Sequence, residues 1–184
     1  PSVVGNRLLP LESFGMHTMS IGNLVDENDA VIWRGPMVHQ ALEQLLRDTD
    51  WPGGDIMIID MPPGTGDTQL SISQLCELTG TVIVSTPQDV ALIDAVKAAK
   101  MFTKVEIDVL GIVENMSFFA CPKCGEETPI FSRYGAEETS KSIQAPFLGA
   151  IPIELEVRKG GDEGKPLMAS NLDSPASMAF KNIA

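Results

Sequence analysis

Two short stretches carry residues whose types and spacing could do chemistry. The first is Asp55–Gln69, DIMIIDMPPGTGDTQ. PPGTGD looks like a phosphate-cradling loop, in which backbone N–H groups surround the phosphates, a Lys reaches the β/γ-phosphates and a Ser/Thr hydroxyl meets Mg²⁺. Asp67 stands where that Lys is needed. A carboxylate there repels a triphosphate, so this is not a phosphate loop. The other reading starts from Ile56-Met57-Ile58-Ile59, an apolar run that ends on Asp60. Such a run predicts a buried parallel strand, and an acid at its carboxyl end can hold the Mg²⁺ of a bound nucleotide. Pro62, Pro63, Gly64 and Gly66 then form a loop able to move with the γ-phosphate state. A buried strand closed by an ordinary Asp and a Pro/Gly turn accounts for the same residues equally well.

The second stretch is Cys121-Pro122-Lys123-Cys124, within Phe118–Phe131. Thiolates two residues apart can both face one metal or cluster. A tetrahedral site needs four ligands, and this pair supplies only half of them. His17 and His39 are far away in the chain, and Cys76 falls in a predicted helix, where it reads as a small buried residue. Three completions are open. A symmetric dimer could pool two pairs around an iron–sulfur cluster or a zinc, which ranks first. A redox dithiol usually opens a helix, whereas Gly125 and Pro129 predict a loop here. The third is a knuckle with no ligand.

Elements must position these groups, and composition bounds what those elements are. The chain has 184 residues, 43% of them apolar but only 5% aromatic, which predicts one domain with an aliphatic core. A net charge of −12 lacks the basic face that nucleic acid or an anionic membrane requires, so neither is expected as a partner. No run is as long as a transmembrane helix, and three cysteines suit a reducing compartment. A soluble, intracellular protein is expected.

Strand and helix signals alternate along the chain. Strands are predicted at Met16–Ile21, Ile56–Ile59, Thr81–Ser85, Val109–Val113 and Phe147–Ile151. Helices are predicted from Pro36 through VHQALEQLLRD, and over Gln69–Leu78, Val90–Val105, Ala136–Ile143 and Ser174–Ile183. Asp162, Glu163 and Gly164 read as a solvated turn. The alternation implies an α/β layer sandwich around a mostly parallel sheet. Ligands of such sheets sit beyond the carboxyl strand ends. Thr86-Pro87-Gln88-Asp89, Glu114-Asn115-Met116-Ser117 and Pro152-Ile153 follow three of those ends. An Asn there can give a base edge one donor and one acceptor, and a Pro turn gives a flat apolar wall. Taken singly, each is an ordinary turn.

The words MSIG (Met19–Gly22), VIWRGPMV (Val31–Val38), DMPPGTGD (Asp60–Asp67), VIVSTPQDVAL (Val82–Leu92), GIVENMS (Gly111–Ser117), CPKCG (Cys121–Gly125) and IPI (Ile151–Ile153) occur in this order. Together they resemble the Mrp (ApbC, Ind-type) family of iron–sulfur cluster carrier ATPases, relatives of MinD and ParA among P-loop NTPases. The resemblance implies a three-layer P-loop NTPase-like sandwich over residues 1–184, with the cysteine loop at 118–131. It implies a homodimer holding a [4Fe–4S] cluster between two subunits, with Cys121 and Cys124 as each subunit's ligands. Asp60 would be the acid of the Mg²⁺ site, and Pro62, Pro63, Gly64, Thr65, Gly66 and Asp67 the γ-phosphate-sensing loop for ATP. Asn115 and Pro152 match positions that contact adenine. Slow ATP hydrolysis would regulate delivery of the cluster to recipient apoproteins, in the cytoplasm or the mitochondrial matrix. A MinD/ParA-like positioning ATPase is the alternative, which the cysteine loop disfavours; a zinc-stabilised interaction module is another.

The family's phosphate loop, ending in Gly-Lys-Ser/Thr, lies upstream of these words and has no match here, nor has the strand leading into it. Intact downstream motifs favour a C-terminal portion of a longer gene product over a loss of nucleotide chemistry. Without the missing strand, its neighbours are expected to show unpaired edges and uncovered apolar residues. Little or no ATPase activity and weak nucleotide binding are expected of residues 1–184.

Overall fold

The computed structural model describes residues 2–24, 35–62, 66–121, 123–132 and 134–184. They form two compact units, Pro1–Glu77 and Leu78–Ala184.

In the first unit two antiparallel hairpins come first: β1 (Val3–Val4) with β2 (Arg7–Leu8), then β3 (Leu11–Ser13) with β4 (Met16–Thr18). The strand expected at Met16–Ile21 is therefore shorter, and Ile21–Asn23 instead forms a 3₁₀ turn capped by the Ser20 hydroxyl. Helix α1 spans Gly35–Arg47, as the spacing predicts, and buries Ala41 and Leu42. Helix α2 spans Asp67–Leu75, buries Ile72 and packs against α1. Cys76 lies just past its end, its thiol donating to the Ile72 carbonyl at 3.5 Å.

The buried strand expected at Ile56–Ile59 is not formed. Those residues adopt no regular structure, and Ile56 and Ile58 are 84% and 89% exposed. An apolar run becomes a buried strand only when neighbours take its N–H and C=O groups on both sides. No described strand pairs with it.

The second unit is built on a parallel sheet of β5 (Thr81–Ser85), β6 (Val109–Glu114) and β9 (Phe147–Ala150), in the order β5-β6-β9. Ser85 is in register with Glu114, and Glu114 with Ala150, so the three carboxyl ends are level. Between β6 and β9 the chain makes a small antiparallel hairpin, β7 (Phe119–Ala120) with β8 (Glu127–Thr128). Helices α3 (Asp89–Lys104) and α4 (Gly135–Ile143) cover one face, where Ile83 and Ile112 pack with Ala95, Ala99 and Ala136. The opposite face carries Val113 and Ile151 against Leu167 and Ala176. Those partners come from α6 (Leu167–Ser170) and α7 (Pro175–Ile183), which follow α5 (Leu155–Glu163). Helices α5 and α6 lack a clear apolar stripe and escape a reading by periodicity. Asp162 and Glu163, expected in a turn, end α5, and Gly164 closes it at φ 66°. Ser174 caps α7 as predicted, accepting from the Ser177 N–H at 3.1 Å.

The apolar run Thr81–Ser85 reads as a fully buried strand, but Val82 and Val84 are exposed. Among the described residues β5 is paired on one side only.

Candidate functional site

Level carboxyl ends bring Asn115 and Pro152 to one edge of the sheet. The Asn115 N–H donates to the Ser85 carbonyl at 2.7 Å, which carries the chain one residue beyond β6. Its side-chain oxygen accepts from the Met116 N–H at 3.0 Å, so the amide NH₂ is the end left for a ligand. Ile151 donates to the Glu114 carbonyl at 2.8 Å, Ser117 to the Ile151 carbonyl at 3.0 Å, and Ile153 to the Phe118 carbonyl at 2.7 Å. Pro152 sits buried inside this ladder. Residues flanking Pro152 are thus bonded directly to those that lead into the cysteine hairpin.

The hairpin sets the thiols. Beyond the Ala120–Glu127 pair, the Cys121 N–H donates to the Glu126 carbonyl at 2.9 Å, and the Gly125 N–H to the Cys121 carbonyl at 2.8 Å. This closes a tight turn, and Gly125 takes φ 75°, a conformation that a side chain disfavours. The turn aims the backbone N–H groups of Lys123 and Cys124 at the Cys121 sulfur. These hydrogen bonds, with one to the Cys124 side chain, hold the Cys121 thiol below the ordinary thiol range, against a weak opposing effect of burial. Both thiols are free, and Cys124 is exposed. No third Cys, His, Asp or Glu joins them in a metal-binding group among the described residues. The pair therefore fits half of a four-ligand site, with donors that a soft metal or an iron–sulfur cluster takes.

The Asp60 stretch belongs to the first unit. Asp60, Pro62 and Gly66 are exposed, and the Pro62 carbonyl accepts from the Gln69 side-chain amide at 3.2 Å. Pro63, Gly64 and Thr65 lie outside the described residues, as does Pro122 of the cysteine motif; Asp67 opens α2.

Glu114 was noted only as a residue following a strand. It is the last residue of β6, is 2% exposed, and its carboxylate accepts from the Ser117 hydroxyl and from the Ala136 N–H. The available signal was an acid running directly on from an apolar strand.

The model of the NUBPL iron-transfer P-loop NTPases, within the ParA group, matches residues 1–184. The chain belongs to this family. An "Iron-sulfur cluster transfer protein NUBPL" of Dictyostelium discoideum is 52% identical over 97% of the chain and 55% of its own length. The "Iron-sulfur cluster carrier protein" of Escherichia coli K12 is 46% identical over 98% of the chain and 49% of its own length. The chain thus spans about half the length of these relatives. Among solved structures, a nucleotide-binding protein of Archaeoglobus fulgidus in complex with ADP superposes with a TM-score of 0.76. It is 32% identical and is matched over 97% of this chain and 68% of its own. The resemblance read from the motif words and the α/β fold with a parallel central sheet both hold for this NUBPL-family chain.

Proposed function

We propose that the chain is the cysteine-bearing part of an iron–sulfur cluster carrier. The observation that carries this is the hairpin turn: two free thiols, one favoured as thiolate by backbone N–H groups, with no third donor beside them among the described residues. Half a site of thiolates calls for a second half, and the simplest source is a second copy of the chain. Cys121 and Cys124 of two copies hold a [4Fe–4S] cluster as cargo, destined for recipient apoproteins. The names of the relatives, a cluster transfer protein and a cluster carrier protein, support this reading.

In the longer protein, Asp60 serves the Mg²⁺ of ATP, and Pro62, Pro63, Gly64, Thr65, Gly66 and Asp67 respond to its γ-phosphate. Asn115 and Pro152 meet the base; the ADP complex of the Archaeoglobus protein supports a nucleotide in this fold. Residues 1–184 then act as part of one P-loop NTPase-like domain in the cytoplasm or the mitochondrial matrix. No described helix is long and apolar enough to cross a membrane.

Anaerobic reconstitution with iron and sulfide, followed by gel filtration and assay of iron, sulfide and protein, tests the reading. About four irons per pair of chains, with a broad visible band, is the expected result. Cys121→Ala/Cys124→Ala is expected to remove both iron and sulfide and leave the circular dichroism of the fold unchanged. A colourless, zinc-loaded chain, or iron retained by the double variant, overturns the assignment.

A further inference from the structure

We propose that Glu114 is the positioning residue of the cysteine hairpin, tying together the start and the end of the segment that carries Cys121 and Cys124. One carboxylate oxygen accepts from the Ser117 hydroxyl, and the other accepts from the Ala136 N–H at 2.8 Å. Ser117 lies four positions before Cys121, and Ala136 twelve after Cys124. A single rigid side chain at the end of β6 thus holds both flanks of the hairpin.

The hairpin gains from such a tie. It has two residues in each strand, a size that is marginal in water on its own, and the bonds to Ile151 and Ile153 anchor only its leading side. Helix α4 needs it as well. Its N-cap, Tyr134, sits at φ 67° and gives the helix no capping oxygen. Glu114 supplies that oxygen from 22 residues upstream, at the helix end whose N–H groups have no partner within the helix. Ala136 and Glu114 are both buried, so water cannot replace the bond. The position of the thiols then depends on a carboxylate that meets neither thiol, and this bears on how firmly a metal or cluster is held.

Amide hydrogen exchange of the metal-free protein tests the tie without reference to any cargo. In Glu114→Ala, the amides of residues 117–136 are expected to exchange at least about tenfold faster, while those of β5 and β9 keep their rates. Glu114→Gln retains an oxygen for the Ala136 N–H and is expected to restore most of the protection. Unchanged rates over 117–136, or an equal acceleration over β5 and β9, overturn the proposal. If Glu114→Ala does not fold, Ser117→Ala removes one tie alone. Faster exchange confined to 117–128 then supports the proposal, and unchanged rates overturn it. The second readout rests on the cluster reading: a chelator is expected to strip iron roughly tenfold faster from Glu114→Ala, with an altered visible dichroism and rescue by Glu114→Gln. A wild-type chain that takes up no iron refutes the cluster reading and leaves the exchange test standing.

Discussion

At Cys121 the N–H groups of Lys123 and Cys124 favour the thiolate, whereas burial alone raises the thiol pKa of Cys76. The thiolate is the form that alkylates and binds metal. A lowered pKa keeps Cys121 ionised at pH values where an ordinary thiol is protonated, and the advantage fades as pH falls through the Cys121 pKa. It also narrows as pH rises past the usual thiol value of about 8.5, where unperturbed thiols become mostly ionised too. Limiting iodoacetamide at neutral pH should therefore label Cys121 well ahead of Cys76, as read by peptide mass spectrometry of the metal-free protein. Equal labelling would remove the N–H groups as the cause. The CxxC spacing was legible in the sequence, because two thiols three positions apart share a turn. The direction of the N–H groups was not, because it depends on how the hairpin closes.

Elements respond to substitutions at their joints. A Cβ at Gly111, in the centre of β6, would stand 2.8 Å from the Pro146 carbonyl oxygen, a backbone atom that cannot swing away. Gly111→Ala is expected to destabilise the protein by about 1–3 kcal/mol through overpacking, seen as an earlier denaturant midpoint. A change of less than a few tenths would mean that the β6–β9 pairing is looser than described. Ser174→Ala removes the cap of α7 and is expected to cost about 1 kcal/mol in the same measurement. This cap, and the helices α1, α2, α3, α4 and α7, could be read from spacing and end residues because those signals are local. The hairpins β1–β2 and β7–β8 have strands too short to leave a period, and α5 carries a polar, glycine-containing sequence, so pattern reading passes over them.

Across the whole molecule, two sets of exposed apolar residues lie on runs that read as buried strands in the sequence. Ile56 and Ile58 face solvent in the first unit, and Val82 and Val84 line the open edge of β5 in the second. Ile56→Ser/Ile58→Ser should change the stability of this chain by no more than about 0.5 kcal/mol, as exposed sites do, and should reduce its self-association. A loss of several kcal/mol would show that these side chains are covered in solution. Calorimetry should likewise find only weak ATP binding, since no Lys stands ready for the phosphates at Asp67. Micromolar affinity would contradict that expectation.

The sequence by itself determined the family, the parallel α/β architecture, the two cysteines and the turns after β6 and β9, because each of these is written in local spacing and in ordered motif words. Only the tertiary structure decided that Asp60 follows an exposed run, that Val82 and Val84 of β5 are exposed, and that Glu114 joins the two flanks of the cysteine segment. Those outcomes depend on which distant backbone groups are present to pair. Neither an apolar run nor a single acid carries that information.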